Sequence, residues 1–337
     1  MRVKLKKVNE QVMVVTGASS GIGLATALMA ARRGAGVVLN SRDELDLQQA
    51  VQRIRSKGGR AVAVVGDVSE STLTQRLAET AVREFGGIDT WVNNAGASIY
   101  GPLEEVSLAD ARRLFETNYW GVVNGTLAAL PQLKARGGAL INIGSILSDT
   151  GYPLQGHYIA SKHAVKGFTD SLRLELEMTG EAVSVTLVQP TAIDTPYPEH
   201  ARTLLGEEPT HQPPVYDPDV VAETILRCAE RPERNVLVGG GGGARLFHTI
   251  ERYAPRLRDH LKGTMVFEGQ RPGPLAWGDD TLHLPRPGDG RVRGNYRGHV
   301  RRTSAYTAAR LARGKALLTF ALAGAAVVLL DRAGSKQ

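Results

Sequence analysis

The sequence is poor in cysteine and in aromatic residues. Cys228 is the single cysteine among 337 residues, which excludes a disulfide framework and a cysteine-built zinc site and favours a reducing compartment. Aromatic residues make up 5% of the chain, too few for an aromatic binding platform or a typical all-β sandwich. Hydrophobic residues at 42% are enough for a sizeable core. We therefore expect a globular protein with no metal site.

The body of the chain lacks net charge. The formal net charge is +7, yet residues 1–262 contain 29 Lys and Arg against 29 Asp and Glu. The excess lies in residues 263–337, which hold 12 basic and 5 acidic residues. A nucleic-acid-binding protein carries its basic patch on the folded domain, so we expect no nucleic-acid partner.

The N-terminus lacks a secretory signal, because its four basic residues are not followed by an apolar run. We therefore expect a cytoplasmic protein. Residues 316–330 contain no charge and follow a basic stretch, but as a helix they would span only about 22 Å of a roughly 30 Å hydrocarbon core. Two interpretations stay open: membrane association through this segment, or a terminal helix packed on the body or in a dimer.

Short apolar runs alternate with amphipathic stretches over residues 8–240. The predicted strands are 12–15, 36–40, 61–65, 88–92, 139–144, 183–188 and 236–239. This alternation predicts an α/β fold, a doubly wound, Rossmann-like parallel sheet with helices on both faces. A C-terminal extension follows the catalytic domain. We expect in it an amphipathic helix over 241–262, a Gly/Pro-rich and then basic linker over 263–315, and an apolar helix over 316–330.

A glycine-rich turn follows the first strand, within Thr16-Gly17-Ala18-Ser19-Ser20-Gly21-Ile22-Gly23. Glycines at a strand-to-helix turn let the backbone approach a pyrophosphate, and the helix N-terminus favours its negative charge. The turn alone is a weak signal, since its spacing is not the G-x-G-x-x-G of long-chain dehydrogenases.

The second strand ends without an acidic residue, at Asn40-Ser41-Arg42. An acid at this place would bind the free ribose 2′-hydroxyl of NAD, whereas an arginine suits the 2′-phosphate of NADP. The alternative is an ordinary surface arginine beside a helix start. We favour NADP(H) over NAD(H).

Polar residues collect near one predicted edge of the sheet. Tyr158 and Lys162 are four residues apart on one helix face, where an ammonium would stabilise the phenolate and lower the pKa of Tyr158. Ser145 and Asn94 each follow a predicted strand, and Asn118 lies in a polar break within a helical stretch. Parallel sheets bind ligands at this edge, so the set is a candidate active site.

These motifs together resemble the short-chain dehydrogenase/reductase superfamily over about residues 8–240. TGxxxGIG, NNAG, ETN, a serine before YxxSK, and YxxSK itself stand here in that family's order. The resemblance implies a catalytic tetrad, with Tyr158 as general acid/base, Ser145 holding the substrate oxygen, Lys162 on the nicotinamide ribose and Asn118 supporting a water relay. It also implies the cofactor-binding set Gly17, Ser19, Ser20, Gly21, Ile22, Gly23, Arg42, Asp67, Val68, Asn94, Tyr158, Lys162, Ile193 and Thr195.

The resemblance implies a small-molecule carbonyl or alcohol substrate and a homo-oligomer. Five neighbours suggest a mixed apolar and hydrogen-bonding pocket: Tyr100, Leu147, Tyr152, Gln155 and His157. The chain departs from the family at Pro190-Thr191, where Pro-Gly is usual, which leaves that loop's geometry open. The expected function is NADP(H)-dependent carbonyl reduction or alcohol oxidation on a moderately apolar substrate. The alternatives are an NAD-preferring oxidative dehydrogenase and a non-catalytic NADPH-binding regulator or scaffold.

Overall fold

The computed structural model describes residues 3–206, 209–240, 256 and 280–312. Its strands run where β-branched residues are dense. Within this part of the chain they are β1 (Val12–Thr16), β2 (Gly36–Ser41), β3 (Arg60–Val65), β4 (Thr90–Asn93), β5 (Ile99–Tyr100), β6 (Gly138–Ile143), β7 (Val183–Pro190), β8 (Arg202–Thr203), β9 (Val215–Tyr216), β10 (Asn235–Val238) and β11 (Val300–Arg301).

Seven of these strands form one parallel sheet in the order β3-β2-β1-β4-β6-β7-β10. The strand order reverses between β1 and β4, and open α/β sheets bind ligands at the carboxyl edge beside such a switch point. The predicted doubly wound fold is confirmed.

Helices connect the strands and cover both faces of the sheet. They are α1 (Gly21–Arg32), α2 (Glu44–Arg55), α3 (Ser71–Phe85), α4 (Leu108–Phe115), α5 (Gly121–Arg136), α6 (Gly156–Met178), α7 (Tyr197–His200), α8 (Pro218–Glu230) and α9 (Ala305–Leu311). A π-helical segment, Glu116–Trp120, joins α4 to α5, and a 3-10 turn, Ile146–Asp149, follows β6.

The core has two main parts, one on each face of the sheet. Met13 and Val15 of β1 are buried with residues of α1, α2 and α8, whereas Val12 and Val14 are buried with residues of α3, α5 and α6. Successive side chains of a strand point to opposite faces. Because both faces are covered, residues 12–15 of β1 are all apolar, as the sequence pattern predicted.

The described C-terminal residues pack on the carboxyl edge of the sheet. β11 pairs with β9, and the Ser304 hydroxyl donates to the Gly239 carbonyl oxygen at 2.7 Å. The predicted helix over 241–262 lies outside the described residues apart from Arg256, and the predicted helix over 316–330 lies outside them entirely. Of the predicted linker over 263–315, residues 280–312 are described. No helix in the described ranges has the length and apolar character to cross a membrane.

Candidate active site

A cavity of about 820 Å³ lies at the carboxyl edge of the sheet. Most residues of the predicted site line it together. They are Gly17, Ser19, Ser20, Gly21, Ile22, Arg42, Asp67, Val68, Asn94, Ser145, Tyr158, Lys162, Ile193 and Thr195. Two predicted residues, Gly23 and Asn118, are not part of this lining. The C-terminal residues Thr281, Pro285, Arg286 and Asp289 do line it, although no sequence motif indicated them.

The glycine turn between β1 and α1 has no room for side chains. Gly17 and Gly21 have φ values of +63° and +53°, in the left-handed region that favours glycine. A Cβ on Gly17 would lie 2.8 Å from the Ala95 Cα, and one on Gly23 would lie 2.1 Å from the Gly17 carbonyl oxygen. The glycines therefore keep this turn free of side chains at three positions near the N-terminus of α1, which suits the pyrophosphate of a dinucleotide, and the Gly21 N–H there donates to the Arg291 carbonyl oxygen at 2.8 Å.

Asn94 stabilises this turn from the neighbouring loop. Its Nδ2 donates to the carbonyl oxygens of Thr16 and Gly17 at 3.0 and 3.1 Å, and its backbone N–H donates to the Thr16 hydroxyl at 3.0 Å. The resemblance implied an adenosine-ribose contact for Asn94. The structure assigns its amide nitrogen to the turn itself.

Asp67 lines the cavity and is already paired. Its Oδ1 accepts from the Ser69 N–H at 3.0 Å and from the Ser69 hydroxyl at 2.8 Å, and Arg113 binds its Oδ2. Burial alone would raise the pKa of Asp67, but the Ser69 hydrogen bonds and the Arg113 charge hold it below its ordinary value. Next to Asp67, Val68 is buried in the core beneath the cavity. Sequence reasoning missed Arg113, which belongs to no motif.

Arg42 lies at the end of β2, as the sequence predicted, but its guanidinium already donates hydrogen bonds to backbone carbonyl oxygens. Nη1 donates to the carbonyl oxygens of Leu282 and His283 at 3.2 and 3.3 Å, and Nη2 donates to that of Thr281. Nη1 also lies 3.7 Å from the Asp67 carboxylate. Burial lowers the pKa of Arg42, and the Asp67 charge offsets this only in part.

Tyr158 and Lys162 lie one turn apart at the start of α6, and both are buried. The Lys162 Nζ is 5.8 Å from the centre of the Tyr158 ring and donates to the Ile143 carbonyl oxygen at 2.9 Å. Burial lowers the pKa of Lys162 to about 8. The ammonium therefore loses its proton within an accessible pH range.

The pKa of Tyr158 is raised, whereas the sequence predicted that it would be lowered. Burial raises it, and hydrogen bonds with the side chains of Ser145 and Tyr197 offset this only in part. The prediction that Lys162 would lower this pKa is wrong for the protein alone, because burial of the phenol dominates and the groups that lower the pKa are Ser145 and Tyr197. A phenol that keeps its proton at neutral pH is suited to donate it.

Ser145 is fixed at the end of β6 by the turn that follows. Its hydroxyl accepts from the Leu147 N–H at 3.1 Å, and its own N–H donates to the Ser148 hydroxyl at 3.0 Å. This reciprocal capping holds the Ser145 hydroxyl beside Tyr158 before any ligand arrives.

Asn118 lies in the π-helical segment that the polar break in the sequence had marked. Its Oδ1 accepts from the Ala97 N–H at 2.7 Å, and its Nδ2 donates to the Ala97 carbonyl oxygen and the Ser161 hydroxyl, both at 3.0 Å. The side chain thus joins the loop after β4 to α6 immediately before Lys162. Single-turn π-helices often mark functional sites.

The loop after β7 lies against the glycine turn. Ile193 bridges to Tyr216, and the Thr195 hydroxyl donates to the Ile193 carbonyl oxygen at 3.4 Å. A Cβ on Gly21 would lie 3.3 Å from the Thr195 Cβ. The unusual Thr191 keeps a regular connection, because its N–H donates to the Val238 carbonyl oxygen at 3.0 Å.

Aromatic residues surround the other end of the cavity. Of the five predicted pocket neighbours, Tyr100, Leu147, Tyr152 and Gln155 line it and His157 does not. The structure adds Tyr197, whose ring centre is 6.0 Å from that of Tyr158. Tyr197 was not among the predicted pocket neighbours.

Comparison with known proteins agrees with the geometry. The family model of the short chain dehydrogenases matches residues 11–204. An uncharacterized oxidoreductase of Bacillus subtilis, YxnA, is 44% identical over 272 residues, which cover 80% of this chain and 76% of the relative. The 11-beta-hydroxysteroid dehydrogenase A of Sesamum indicum is 35% identical over 237 residues, 67% of either chain.

Two solved structures are similar to this chain. A short chain dehydrogenase/reductase from Burkholderia phymatum in complex with NAD has a TM-score of 0.66 and 28% identity, and covers 75% of this chain and 96% of its own. An alcohol dehydrogenase from Thermococcus sibiricus complexed with 5-hydroxy-NADP has a TM-score of 0.61 and 26% identity, with 68% and 97% covered. The chain therefore belongs to the short-chain dehydrogenase/reductase family and is an oxidoreductase that acts on CH–OH groups with a nicotinamide cofactor.

Proposed function

We propose that the protein is an NADP(H)-dependent carbonyl reductase or alcohol dehydrogenase with a moderately apolar ketone or secondary alcohol as its substrate. One observation carries the proposal. Tyr158, Ser145 and Lys162 line the same cavity as the bare glycine turn and Arg42. A dinucleotide bound along that cavity would thus have a proton donor at one end and a cation at the other.

Tyr158 acts as the general acid in the proposed reduction. When bound, the nicotinamide supplies the hydride. The protonated Tyr158 donates its proton to the carbonyl oxygen, which the Ser145 hydroxyl holds by a hydrogen bond. Oxidation would need the phenolate form of Tyr158 as the base, and the raised pKa of Tyr158 leaves little phenolate at neutral pH. We therefore assign reduction as the favoured direction.

Lys162 and Asn118 support the proton donor in this proposal. Lys162 binds the nicotinamide ribose and places a positive charge near the phenol. Asn118 is a positioning residue, because its amide binds the Ala97 backbone and the Ser161 hydroxyl next to Lys162. The water relay that the resemblance implies would have to use the Asn118 backbone, since its side chain is occupied.

An NAD-preferring dehydrogenase is the second candidate, and the state of Arg42 favours it. Three carbonyl oxygens of residues 281–283 accept hydrogen bonds from its guanidinium, which leaves fewer N–H groups for a 2′-phosphate. The absence of an acidic residue at the end of β2 supports NADP(H) instead.

A carbonyl panel tests the proposal. Ketones, aldehydes, quinones and acyl-thioester ketones are offered with NADPH and, separately, with NADH, and cofactor oxidation is followed by absorbance. We expect turnover of an apolar ketone with NADPH at a kcat/KM at least tenfold above that with NADH. Faster turnover with NADH would support the second candidate. Tight NADPH binding without turnover of any compound would support a non-catalytic NADPH-binding protein.

The pH dependence of reduction should follow Lys162. The pKa of Lys162 is lowered to about 8, so its ammonium is present below pH 8 and is lost above it. We expect kcat/KM for NADPH-dependent reduction to be level from pH 6 to 7.5 and to fall about tenfold per unit above pH 8. Lys162→Arg should move this fall to higher pH at a reduced plateau. A level profile up to pH 9.5 would contradict the role of Lys162.

We also propose that the chain assembles as a homo-oligomer. Large apolar side chains stay exposed along α4, the π-helical segment and α5, at Leu108, Trp120 and Leu127. Clustered exposed apolar residues are typical of protein interfaces. Light scattering of the purified chain should give a multiple of 36.2 kDa. A monomer at micromolar concentration would contradict the proposal.

A further inference from the structure

Residues 280–294, here termed the C-terminal strap, cross the adenosine end of the cavity. The strap is attached at two points to residues 42–46, a short junction that leads from β2 into the first turn of α2. The carbonyl oxygens of residues 281–283 accept from Arg42, and the Asp289 N–H donates to the Asp46 carboxylate at 2.8 Å. Because both attachment points belong to one short junction, residues 284–288 form an arch beside it.

The strap is held along its length by a backbone hydrogen bond and by contacts between charged or ionisable side chains. The Gly21 N–H, at the start of α1, donates to the Arg291 carbonyl oxygen at 2.8 Å. Its ion pairs join Asp289 to His200 at 2.6 Å, Arg291 to Glu199 at 2.7 Å and Arg293 to Asp217 at 2.8 Å. So many independent contacts make the strap a fixed wall of the cavity rather than a passing loop.

Arg286, in the middle of the arch, differs from the other arginines of the strap. It lines the same cavity as Ser41 and Arg42. Arg291 and Arg293 are paired with carboxylates, whereas Arg286 makes no hydrogen bond or ion pair within the described residues. A half-buried guanidinium without a carboxylate, next to a nucleotide-binding cavity, is suited to an anionic group of the ligand.

We propose that Arg286 is a specificity-determining residue that binds the 2′-phosphate of NADP(H) together with Arg42, an inference that rests on the proposed function. The contacts of Arg42 explain why one arginine is insufficient. Its guanidinium is oriented by three strap carbonyl oxygens, which leaves few donors free. Arg286 lies three residues beyond the last strap carbonyl oxygen that binds Arg42, and it brings five further donors to the lining of the same cavity. The strap thus both orients Arg42 and supplies the second cation.

The two arginines lie in distant parts of the sequence, so the recognition element exists only in the folded chain with its extension in place. The core domain by itself offers one guanidinium at the end of β2, and Arg113 is committed to Asp67. Preference for NADP(H) therefore depends on the extension. NAD(H), which has no 2′-phosphate, gains nothing from Arg286.

Isothermal titration calorimetry tests the proposal on the full-length chain. NADPH, NADH and adenosine 2′,5′-bisphosphate are titrated into wild type, Arg286→Ala, Arg286→Lys and the matched control Arg297→Ala, an exposed arginine outside the cavity lining. We expect Arg286→Ala to weaken NADPH and the bisphosphate by about tenfold and to leave NADH within twofold. Arg286→Lys should recover part of the loss, since a lysine keeps the charge but not the planar fork. Arg297→Ala should match wild type.

The outcomes separate this proposal from the proposed function. Unchanged NADPH affinity in Arg286→Ala, with wild type still preferring NADPH, would overturn the role of Arg286 alone. A wild type that prefers NADH would overturn the NADP(H) assignment and Arg286 with it. An equal loss of affinity for NADPH and NADH would mean that Arg286 supports the cavity wall and does not bind the 2′-phosphate. NADH binding serves in each variant as the control for a folded site.

Discussion

Tyr158→Phe should reduce kcat for NADPH-dependent carbonyl reduction by about 10³-fold, the middle of the range for loss of a general acid. The affinity for NADPH should stay within about twofold, because the change removes one oxygen and keeps the ring. The buried ring packs near Tyr197, with its centre 6.0 Å away, and phenylalanine fills the same space.

No group that remains after the substitution can donate the proton to the carbonyl oxygen. Ser145 still holds the substrate oxygen, and Lys162 remains bound to the Ile143 carbonyl oxygen. Neither can take over the proton transfer, because the serine hydroxyl is far too weak an acid and the lysine is held by that backbone contact. Phenylalanine lacks the phenol oxygen that lies beside Ser145 and Tyr197, and its loss should cost about 1 kcal/mol of folding free energy.

Stopped-flow and steady-state absorbance at saturating NADPH give the measurement, and fluorescence titration gives the cofactor affinity. Tyr119→Phe is the matched control, since it removes the same oxygen from a half-buried tyrosine outside the cavity. It should retain wild-type turnover. Turnover of Tyr158→Phe within tenfold of wild type would mean that another group supplies the proton, and the assignment of Tyr158 would have to be abandoned.

The features predictable from the sequence were those with a local pattern. Apolar runs such as that of β1 gave the parallel sheet, because both faces of these strands are buried. The polar break at residues 116–118 drew attention to Asn118 within a helical stretch, and the structure has a π-helical segment there. Tyr158 and Lys162 were recognisable because a spacing of four places two side chains on one helix face.

The features that the sequence did not reveal depend on contacts between distant residues. Arg113 binds Asp67 across 46 residues of chain, and Arg42 binds the Thr281 carbonyl oxygen across 239. Neither Arg113 nor Thr281 belongs to a sequence motif. The direction of the Tyr158 pKa was also mispredicted, because spacing revealed the nearby ammonium but not the depth of burial. The spacing of residues in a sequence indicates which ionisable side chains are neighbours. Their desolvation depends on the tertiary packing around them, which the spacing does not give.

The second large effect is expected at Gly23. A Cβ there would lie 2.1 Å from the Gly17 carbonyl oxygen and 2.6 Å from the Asn94 Nδ2. The first of these is a backbone atom, so the turn itself has to move, and the hydrogen bond from Asn94 to Gly17 goes with it. We expect Gly23→Ala to lower kcat/KM for NADPH by about 10²-fold, as displacements of about 1 Å in a binding element do. Overpacking should also destabilise the fold by about 3 kcal/mol.

Gly167→Ala is the matched control, because it makes the same chemical change where there is space. Gly167 is an exposed residue within α6, and a Cβ there would meet nothing within 4 Å. Alanine is the better helix former, so this variant should be stabilised by about 1 kcal/mol and keep wild-type kinetics. Urea unfolding gives both free energies. If Gly23→Ala and Gly167→Ala behaved alike, the glycine turn would tolerate a Cβ at position 23. The proposed binding of the pyrophosphate by the turn would then be wrong, and side chains such as Ser19 and Thr195 would have to bind it.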